Sequence, residues 1–309
     1  MILLCGIPSE PPLRLALEAA EALGLPSVLF NQREAPFCDI ALDISSRGVD
    51  GILRLRETDW RLAEFAGVYV RLMDCESLPE HRPRGRRPPE AGRVERSRVL
   101  HEALNDWLEL AACRVANRPG AMGSNLSKPY QSQLIARCGL RTPPTLITND
   151  AAELRAFLRE YGRVIFKSVS SVRSIVRELT PDYLAELDRL RHLPTQFQAL
   201  IDGDDVRVHV VGQVLFATEV ASGAIDYRYA ARDGLEVSMQ PCELPVGVRE
   251  RCLAVSEALD LPLCGIDLKR TPDGSYYCFE VNPSPAYSYY QQETGQPIAP
   301  ALVRYLAEG

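Results

Sequence analysis

The chain has 309 residues, of which 46% are hydrophobic and 25% are charged, a composition typical of a globular protein with two or three small domains. The formal net charge of −6 provides no global basic field, so the composition argues against nucleic acid as a partner. Every apolar run is shorter than the roughly 20 residues of a membrane span, so we expect no membrane partner.

The first residues and the cysteines favour a cytoplasmic protein. Residues 1–6 lack the basic start of a signal peptide and have the apolar character of a buried strand. The nine cysteines are odd in number and include no C-x-x-C pair. We therefore expect reduced, buried thiols rather than disulfides or a metal site.

Residues 1–115 have the pattern of an α/β unit. A strand at 2–5 precedes a helix at about 13–23, which Gly24 ends. Short strands are predicted at 27–30, 40–44, 51–55 and 68–71. The sequence has no G-x-G-x-x-G after the first strand and no Walker A motif, so this unit is not an obvious dinucleotide or P-loop site.

The segment 81–98 is the most biased in the chain, with seven arginines, two glutamates and three prolines. It has two interpretations: a solvated loop, or a basic lid for an acidic substrate such as a peptide that carries Glu or Asp. A helix at about 97–113 follows, with a predicted buried face formed by Leu100, Leu104, Trp107, Leu108 and Ala111.

Ser127 is a plausible cap for a helix that runs to Cys138. Lys128 falls in the first turn, where the helix N-terminus favours phosphate, although a lysine in this position is often only solvent-facing. A second helix is predicted at 150–161, capped by Asn149. Residues 163–176 then predict a strand that ends at Lys167, a loop and a second strand. The loop holds four serines, at 168, 170, 171 and 174, and no glycine; hydroxyls and backbone N–H groups can cradle phosphate.

A short helix is predicted at 182–191, and a strand at 205–211 follows it. Alternation in this strand places Val206, Val208 and Val210 towards the core and Arg207 and His209 on the other face. A return strand at 216–220 leads to Asp226-Tyr-Arg228. The two arginines either form ion pairs with Asp205 and Asp226 or contact phosphate. His209 is interpreted as a hydrogen-bonded bystander rather than a base.

An amphipathic helix at 245–259, with Val248, Cys252, Val255 and Leu259 buried, precedes a predicted hairpin. Its strands are 264–270 and 275–281, joined by the turn signal Thr-Pro-Asp-Gly. Alternation places Tyr276, Cys278 and Glu280 on one face, opposite Tyr277, Phe279 and Val281.

Pairing across this hairpin would gather Asp267, Glu280 and Asn282, three oxygen ligands that suit Mg²⁺ rather than zinc. The alternative is a surface hairpin with solvated acids. A tyrosine-rich loop at 284–292, for packing or for an acceptor pocket, and a helix at 298–306 close the chain.

Several stretches in this order closely resemble the ATP-grasp ligases, among them ribosomal-protein glutamate ligases, glutathione synthetases and graspetide macrocyclases. The stretches are Asn-x-x-Lys-Pro-x-Gln at 125–131, Gly-Leu-Arg-Thr-Pro-Pro-Thr at 139–145, Asp267, Phe-Glu-Val-Asn-Pro-Ser-Pro at 279–285 and Glu-Thr-Gly-Gln-Pro-Ile-Ala at 293–299. The resemblance covers roughly residues 115–309. It implies an α/β N-terminal domain (1–115), an α+β central lid domain (116–198) and an α+β C-terminal domain (199–309), with ATP between the last two.

The resemblance also implies roles for individual residues. Asp267, Glu280 and Asn282 would hold two Mg²⁺ ions, for which Mn²⁺ can substitute, across the phosphates of ATP. Arg207 would steady the acyl phosphate or the tetrahedral oxyanion, and Arg228 would contact the γ-phosphate. The remaining nucleotide contacts would come from Lys128, Lys167, Ser170, the backbone of Ala199 and Leu200, and Asp205. Many relatives have Glu at the position of Ala199. A contact made by the backbone of this residue survives that change, because it does not depend on the side chain.

The activity that the resemblance implies is ATP-dependent ligation of a carboxylate to an amine through an acyl phosphate. The substrates would be an amino acid or a peptide carboxylate and an amine. A second hypothesis is a ligase that makes ω-ester or ω-amide links in an acidic ribosomal precursor peptide. A third, of another class, is a nucleotide-binding regulatory module without turnover. Relatives are usually dimers or tetramers, so we expect a homodimer or homotetramer.

Overall fold

The computed structural model describes residues 1–46, 48–82, 91–167, 177–185, 187–222 and 236–309. The predicted serine loop at 168–174, Arg228 and most of the arginine-rich segment lie outside these residues. Residues 91–98 of that segment are helical, because they form the first part of a long helix that begins at Ala91. Within the described residues, no helix has the length and apolar character needed to cross a bilayer.

The N-terminal part is an α/β unit, as predicted. A parallel sheet with the order β2-β1-β6-β7 and an antiparallel sheet with the order β3-β4-β5 form its framework. The prediction missed β5 and β7. The elements are β1 (Ile2–Gly6), α1 (Pro11–Ala22), β2 (Ser27–Asn31), β3 (Cys38–Ser45), β4 (Gly48–Leu55), β5 (Thr58–Arg61), β6 (Gly67–Val70), α2 (Ala91–Leu110) and β7 (Arg114–Ala116).

The later part contains two antiparallel sheets, with the orders β10-β9-β11-β8 and β14-β13-β12-β15-β16. The elements are α3 (Pro119–Met122), α4 (Lys128–Arg137), β8 (Thr145–Thr148), α5 (Ala151–Tyr161), β9 (Val164–Lys167), β10 (Arg177–Glu178), α6 (Pro181–Ala185), β11 (Thr195–Ala199), β12 (Asp204–Val211), β13 (Val214–Ser222), β14 (Val237–Cys242), α7 (Val246–Ala258), β15 (Leu263–Arg270), β16 (Tyr276–Asn282), α8 (Tyr287–Thr294) and α9 (Ile298–Ala307).

The parallel sheet is buried on both faces, which explains its unbroken apolar first strand. Ile2 and Leu4 pack into a cluster with α1, α8 and α9, whereas Leu3 and Cys5 pack into a second cluster with α2. The last helix of the chain therefore returns to the first sheet. The five-stranded sheet packs against α4 and α7, and the four-stranded antiparallel sheet packs against α5. The domain boundaries at 115 and 198 stay predictions.

Three local predictions were wrong. Asp150 rather than Asn149 caps α5, because the Asp150 side chain accepts from the Ala152 N–H at 2.7 Å. The helix predicted at 182–191 is split into α6 and a separate 3₁₀ segment at Leu187–His192. The tyrosine-rich loop contains a helix, α8, because Tyr287 and Tyr290, one turn apart, are both buried in the cluster formed with α1.

All nine cysteines are in the described part of the chain, and all are free thiols. Six of them are buried. Burial raises the pKa of the Cys252 thiol to about 12, which keeps it protonated and unreactive at neutral pH.

Candidate functional site

The predicted hairpin is present, and its two acids face each other. β15 and β16 pair antiparallel, with Asp267 opposite Glu280 and Gly265 opposite Asn282. Both acidic side chains are about one quarter exposed, at 27% and 25%. Cross-strand partners of this kind have Cβ atoms roughly 5 Å apart. The structure therefore pairs Asp267 with Glu280 across the hairpin, and Asn282 follows two residues further along β16. The prediction that the three side chains together hold metal ions stays a prediction.

A β-bulge changes the faces of the second strand. The register shifts between Asp267 and Leu268, so that Leu268 pairs with Cys278 and one extra residue, Phe279, is accommodated on β16. Cys278 and Val281 consequently both lie in the buried cluster below the sheet. The prediction that Cys278 shares a face with Glu280 was wrong, because simple alternation does not include the extra residue.

The donor set of this cluster fits a hard cation. Asn282 Oδ1 accepts from the Ser284 N–H at 2.9 Å, and the second lone pair of an amide oxygen is a further acceptor site. Among the described residues, no group of three His, Cys, Asp or Glu side chains could hold a metal. A site here would combine two carboxylates with one amide oxygen, which suits Mg²⁺ with several retained waters.

Lys128 lies beside this cluster. It begins α4, and its Nζ is 3.4 Å from Glu280 Oε2. Ser127 precedes the helix as predicted but makes no side-chain cap; its carbonyl accepts from the Gln131 N–H at 3.0 Å.

Gln131, one turn after Lys128, fixes the position of α4 against β16. Its Nε2 donates to the Val281 carbonyl at 2.8 Å, and its Oε1 accepts from the Val281 N–H at 2.9 Å. This side chain thereby pairs with the open edge of the strand between Glu280 and Asn282. No role for Gln131 was predicted from the sequence, although the residue belongs to the Asn-x-x-Lys-Pro-x-Gln motif.

Arg207 is the cation at the other acid. It lies opposite Asp267 in the pairing of β12 with β15, and its Nη1 donates to Asp267 Oδ1 at 2.5 Å. Its side chain is only 7% exposed. The guanidinium lies over Gly265, where an added Cβ would be 1.9 Å from Nη2. Gly265 therefore provides the space that Arg207 occupies.

His209 and Tyr290 also contact Arg207. The Arg207 Nε donates to His209 Nε2 at 3.5 Å, and its Cζ lies 5.7 Å from the centre of the Tyr290 ring. The His209 and Tyr290 rings meet edge to face at 4.8 Å. His209 is fully buried and its Nδ1 has no hydrogen-bond partner. Burial, and secondly the charge of Arg207, hold the His209 pKa well below 6.5.

The buried His209 is expected to make folding stability depend on pH. Between its low native pKa and about 6.5, the unfolded chain binds a proton that the native imidazole does not. Its contribution to stability is therefore complete above about pH 7 and falls as pH decreases, by up to about 1.4 kcal/mol per pH unit. Thermal unfolding between pH 7.5 and 5.5 should show a smaller loss of Tm for His209→Phe than for the wild type. Equal losses would contradict this assignment.

Asp205 is also paired with a cation. Its Oδ1 lies 2.9 Å from Lys269 Nζ, and the preceding residue, Asp204, pairs with Arg270 at 2.8 Å, also between β12 and β15. Lys269 was not singled out from the sequence. Its spacing of two from Asp267 in a regular strand was the available signal, because such residues share a face.

The backbone donors of the predicted adenine contacts are already used. The Ala199 N–H donates to the Pro144 carbonyl and the Leu200 N–H to the Arg163 carbonyl, both at 2.9 Å. Lys167 ends β9, as predicted, and is the register partner of Gln196. The Lys167 side chain, Ser170 and Arg228 lie outside the described part of the structure, so their predicted contacts are not tested.

The paired acids Asp267 and Glu280, and Lys128 at the N-terminus of α4, are part of an ATP-grasp fold. The sequence matches the RimK-like ATP-grasp domain family over residues 127–306. The chain is therefore a member of the RimK-like ATP-grasp family.

Curated relatives include beta-citrylglutamate synthase B of Homo sapiens, 28% identical over 65% of this chain and 54% of that protein. The probable alpha-L-glutamate ligase of Cellvibrio japonicus (strain Ueda107) is 24% identical over 61% of this chain and 65% of that protein. The chain thus spans about half the length of the first of these relatives.

Similarity to solved structures extends over nearly the whole chain. The ATP-grasp ligase PsnB, complexed with a phosphomimetic variant of its minimal precursor, Mg and ADP, is 27% identical with a TM-score of 0.76, covering 99% of this chain and 97% of that one. The macrocyclase MdnC, bound with the precursor peptide MdnA from Microcystis aeruginosa MRC, has a TM-score of 0.78 at 20% identity over the full length of both chains, which shows the shared fold.

Proposed function

We propose that this protein is an ATP-dependent carboxylate–amine ligase that forms an amide bond through an acyl phosphate, with release of ADP and phosphate. The observation that carries the proposal is the pairing of two acids, Asp267 and Glu280, each with its own cation, Arg207 at 2.5 Å and Lys128 at 3.4 Å. The two acids lie side by side between the two cations, an arrangement that would hold metal ions and phosphate oxygens together.

The chemistry follows from the poor leaving group of a carboxylate. An amine cannot displace oxide, but it can displace phosphate once the γ-phosphoryl group has been transferred to the acid. Mg²⁺ bound by Asp267, Glu280 and Asn282 would neutralise charge on the phosphates. Lys128 would move from Glu280 to a phosphate oxygen, and Arg207 would hold the acyl phosphate or the tetrahedral oxyanion.

We propose the finer assignments of the nucleotide site on the same basis. Two Mg²⁺ ions, replaceable by Mn²⁺, would occupy the acidic cluster. Since the N–H groups of Ala199 and Leu200 are used within the protein, backbone contacts to adenine there would come from carbonyl oxygens. Lys167, Ser170 and Arg228 would contact phosphates, and Asp205 the ribose. A cytoplasmic homodimer or homotetramer with three domains is part of the same proposal.

Two substrate classes are candidates. The curated relatives include glutamate ligases, which favours a free amino acid or another small carboxylate. The second candidate is an acidic precursor peptide. It is favoured because the structural similarity to PsnB, at 27% identity, extends over 99% of this chain and so includes the N-terminal unit. The seven arginines of the 81–98 segment would then attract the acidic peptide.

The test is release of ADP from ATP and Mg²⁺ in the presence of single amino acids, and then of acidic peptides, with hydroxylamine as a trapping amine. We expect a hydroxamate of the correct acid, formed in proportion to ADP. A regulatory module without turnover would bind ATP but produce no ADP with any carboxylate, and that result would refute the ligase proposal. Salt-sensitive binding of an acidic peptide would separate the second substrate class from the first.

Replacement of Lys128 by methionine should weaken ATP binding without removing it. Loss of one charge-assisted phosphate contact is worth about 1.5–3 kcal/mol, or roughly a 10- to 100-fold increase in Kd. Titration calorimetry with ATP and Mg²⁺ measures this directly. The control is Arg251→Met, which replaces an exposed arginine on α7. Equal affinity of the Lys128 variant and the wild type for ATP would show that Lys128 does not belong to the nucleotide site.

A further inference from the structure

The short loop after the β15–β16 hairpin lies against the N-terminal unit. It consists of residues 283–285 and directly follows Asn282, the proposed third metal ligand. Pro283 and Pro285 are both buried. A proline has no backbone N–H group, so each of these two residues can hydrogen-bond through its backbone only as an acceptor. The donors that hold this loop in place must therefore come from elsewhere in the protein.

Asn117 supplies one of these donors. It follows β7 directly and is only 1% exposed. Its Nδ2 donates to the carbonyls of Pro283 and Leu263, both at 2.6 Å, and its Oδ1 accepts from the Leu263 N–H at 3.0 Å. Leu263 is the first residue of β15, and Asn282 is the last residue of β16. Asn117 therefore joins the two strands of the hairpin at the end where Asn282 lies.

Arg71 supplies a second donor. It follows β6, the parallel neighbour of β7, so it lies at the same edge of the sheet as Asn117. Its Nη1 donates to the Pro285 carbonyl at 3.1 Å. The carboxylate of Glu10 accepts from its Nε at 2.9 and 2.8 Å, and the arginine side chain is only 9% exposed. Glu10 therefore fixes the guanidinium that contacts the loop.

Ser284 connects this loop to the proposed metal ligand. It lies between the two prolines, and its N–H donates to Asn282 Oδ1 at 2.9 Å. The position of the loop thus sets the direction of the Asn282 amide. One lone pair of the amide oxygen is used in this way, and the other is a further acceptor site.

We propose that Asn117 and Arg71 are positioning residues, which hold the loop 283–285 so that the amide oxygen of Asn282 can bind Mg²⁺. A metal ligand has to be held within about 0.5 Å of its productive position, and partners outside the ligand shell provide that precision. The N-terminal unit then contributes to metal binding without supplying a ligand. The inference rests on the proposed function, because it presupposes the metal site at Asn282.

The test measures how much Mg²⁺ strengthens the binding of a non-hydrolysable ATP analogue. Titration calorimetry gives the Kd of the analogue with Mg²⁺ and with EDTA, and the ratio of the two is the metal-dependent gain. Asn117→Ser should lower this gain about tenfold or more and leave the Kd in EDTA unchanged, because it removes a partner outside the ligand shell.

Arg71→Lys covers the case in which the Asn117 variant does not fold. Lysine keeps a cation beside Glu10 but has one nitrogen in place of three, so the contact with Pro285 is lost. The gain should fall about threefold, within the worth of one hydrogen bond. Arg114→Lys is the matched control, because Arg114 also donates to a backbone carbonyl, that of Tyr305 at 2.7 Å, but begins β7 at the opposite edge of the sheet. It should keep the full gain.

A double-mutant cycle separates positioning of the ligand from general loosening of the structure. Asn282→Ala should itself lower the gain, and Asn117→Ser added to it should lower the gain no further, because the ligand is already absent. Additive losses, equal losses of affinity in Mg²⁺ and EDTA, or an unchanged gain in the folded single variants would overturn the inference and leave the proposed function intact. A folded wild type that binds the analogue equally with and without Mg²⁺ would refute the proposed metal site, and the inference with it.

Discussion

Replacement of Glu280 by glutamine is expected to lower the rate of ATP-dependent turnover by about 10²- to 10³-fold. The substitution keeps the size of the side chain but removes one of the two charges that face each other across the hairpin. The proposed Mg²⁺ would lose one carboxylate ligand, and with it several kcal/mol of stabilisation of the transferring phosphoryl group; each 1.36 kcal/mol is a factor of ten in rate. It also releases Lys128 from its partner at 3.4 Å.

The measurement is the initial rate of ADP release with the carboxylate found in the substrate screen. Glu257→Gln is the matched control, because Glu257 is an exposed residue of α7, a helix that packs against the opposite face of the same sheet. The control should keep the rate of the wild type. A Glu280→Gln enzyme with full turnover would show that Glu280 holds no catalytic metal.

Replacement of Gly265 by alanine is expected to reduce turnover at least 10²-fold while ATP binding is retained. The new Cβ would be 1.9 Å from Arg207 Nη2 and 2.5 Å from Cζ, so the guanidinium must move. The arginine is enclosed by Asp267 at 2.5 Å, His209 at 3.5 Å and the Tyr290 ring. Its displacement therefore breaks the contact with Asp267 and takes the cation away from the proposed acyl phosphate.

Gly247→Ala on α7 is the control for this variant, because nothing other than its chain neighbours and the backbone of its own helix lies within 4 Å of the added Cβ. Alanine is also the better helix former, so this control should be neutral or slightly more stable. ATP affinity and Tm, measured on both variants, separate a displaced arginine from a misfolded protein. Normal turnover in a folded Gly265→Ala enzyme would contradict the role given to Arg207.

The hairpin at the centre of the site was predictable because its signals are local. The Thr-Pro-Asp-Gly turn predicts a hairpin that brings Asp267 and Glu280 close together across its two strands. The pairing next to the turn would by itself put Asp267 opposite Phe279, and the bulge puts Glu280 there instead. The bulge at Phe279 was not predictable, because a period of two carries no mark for one inserted residue. Cys278 was therefore assigned to the face of Glu280, whereas it lies on the buried face of the sheet. The alternation of β12, which has no bulge, was predicted correctly for Val206, Val208 and Arg207.

The parts of the site that the sequence analysis missed depend on contacts between distant segments. Gln131 reaches the backbone of Val281, 150 residues further along the chain. Tyr290 reaches Arg207 because α8 is a helix, although prolines precede it and its own sequence favours no regular structure strongly. Its helical form follows from the burial of Tyr287 and Tyr290, a tertiary effect that local propensity does not contain. The space above Gly265 likewise becomes visible only once the strands are paired.

The most direct test of the central claim is a crystal structure of the protein grown with Mg²⁺ and a non-hydrolysable ATP analogue. We predict at least one Mg²⁺ with Asp267, Glu280 and Asn282 oxygens at about 2.0–2.1 Å, bridging to the phosphates, with Lys128 moved onto a phosphate oxygen. Phosphates bound elsewhere, or bound here with these three side chains apart and no ion between them, would contradict the account.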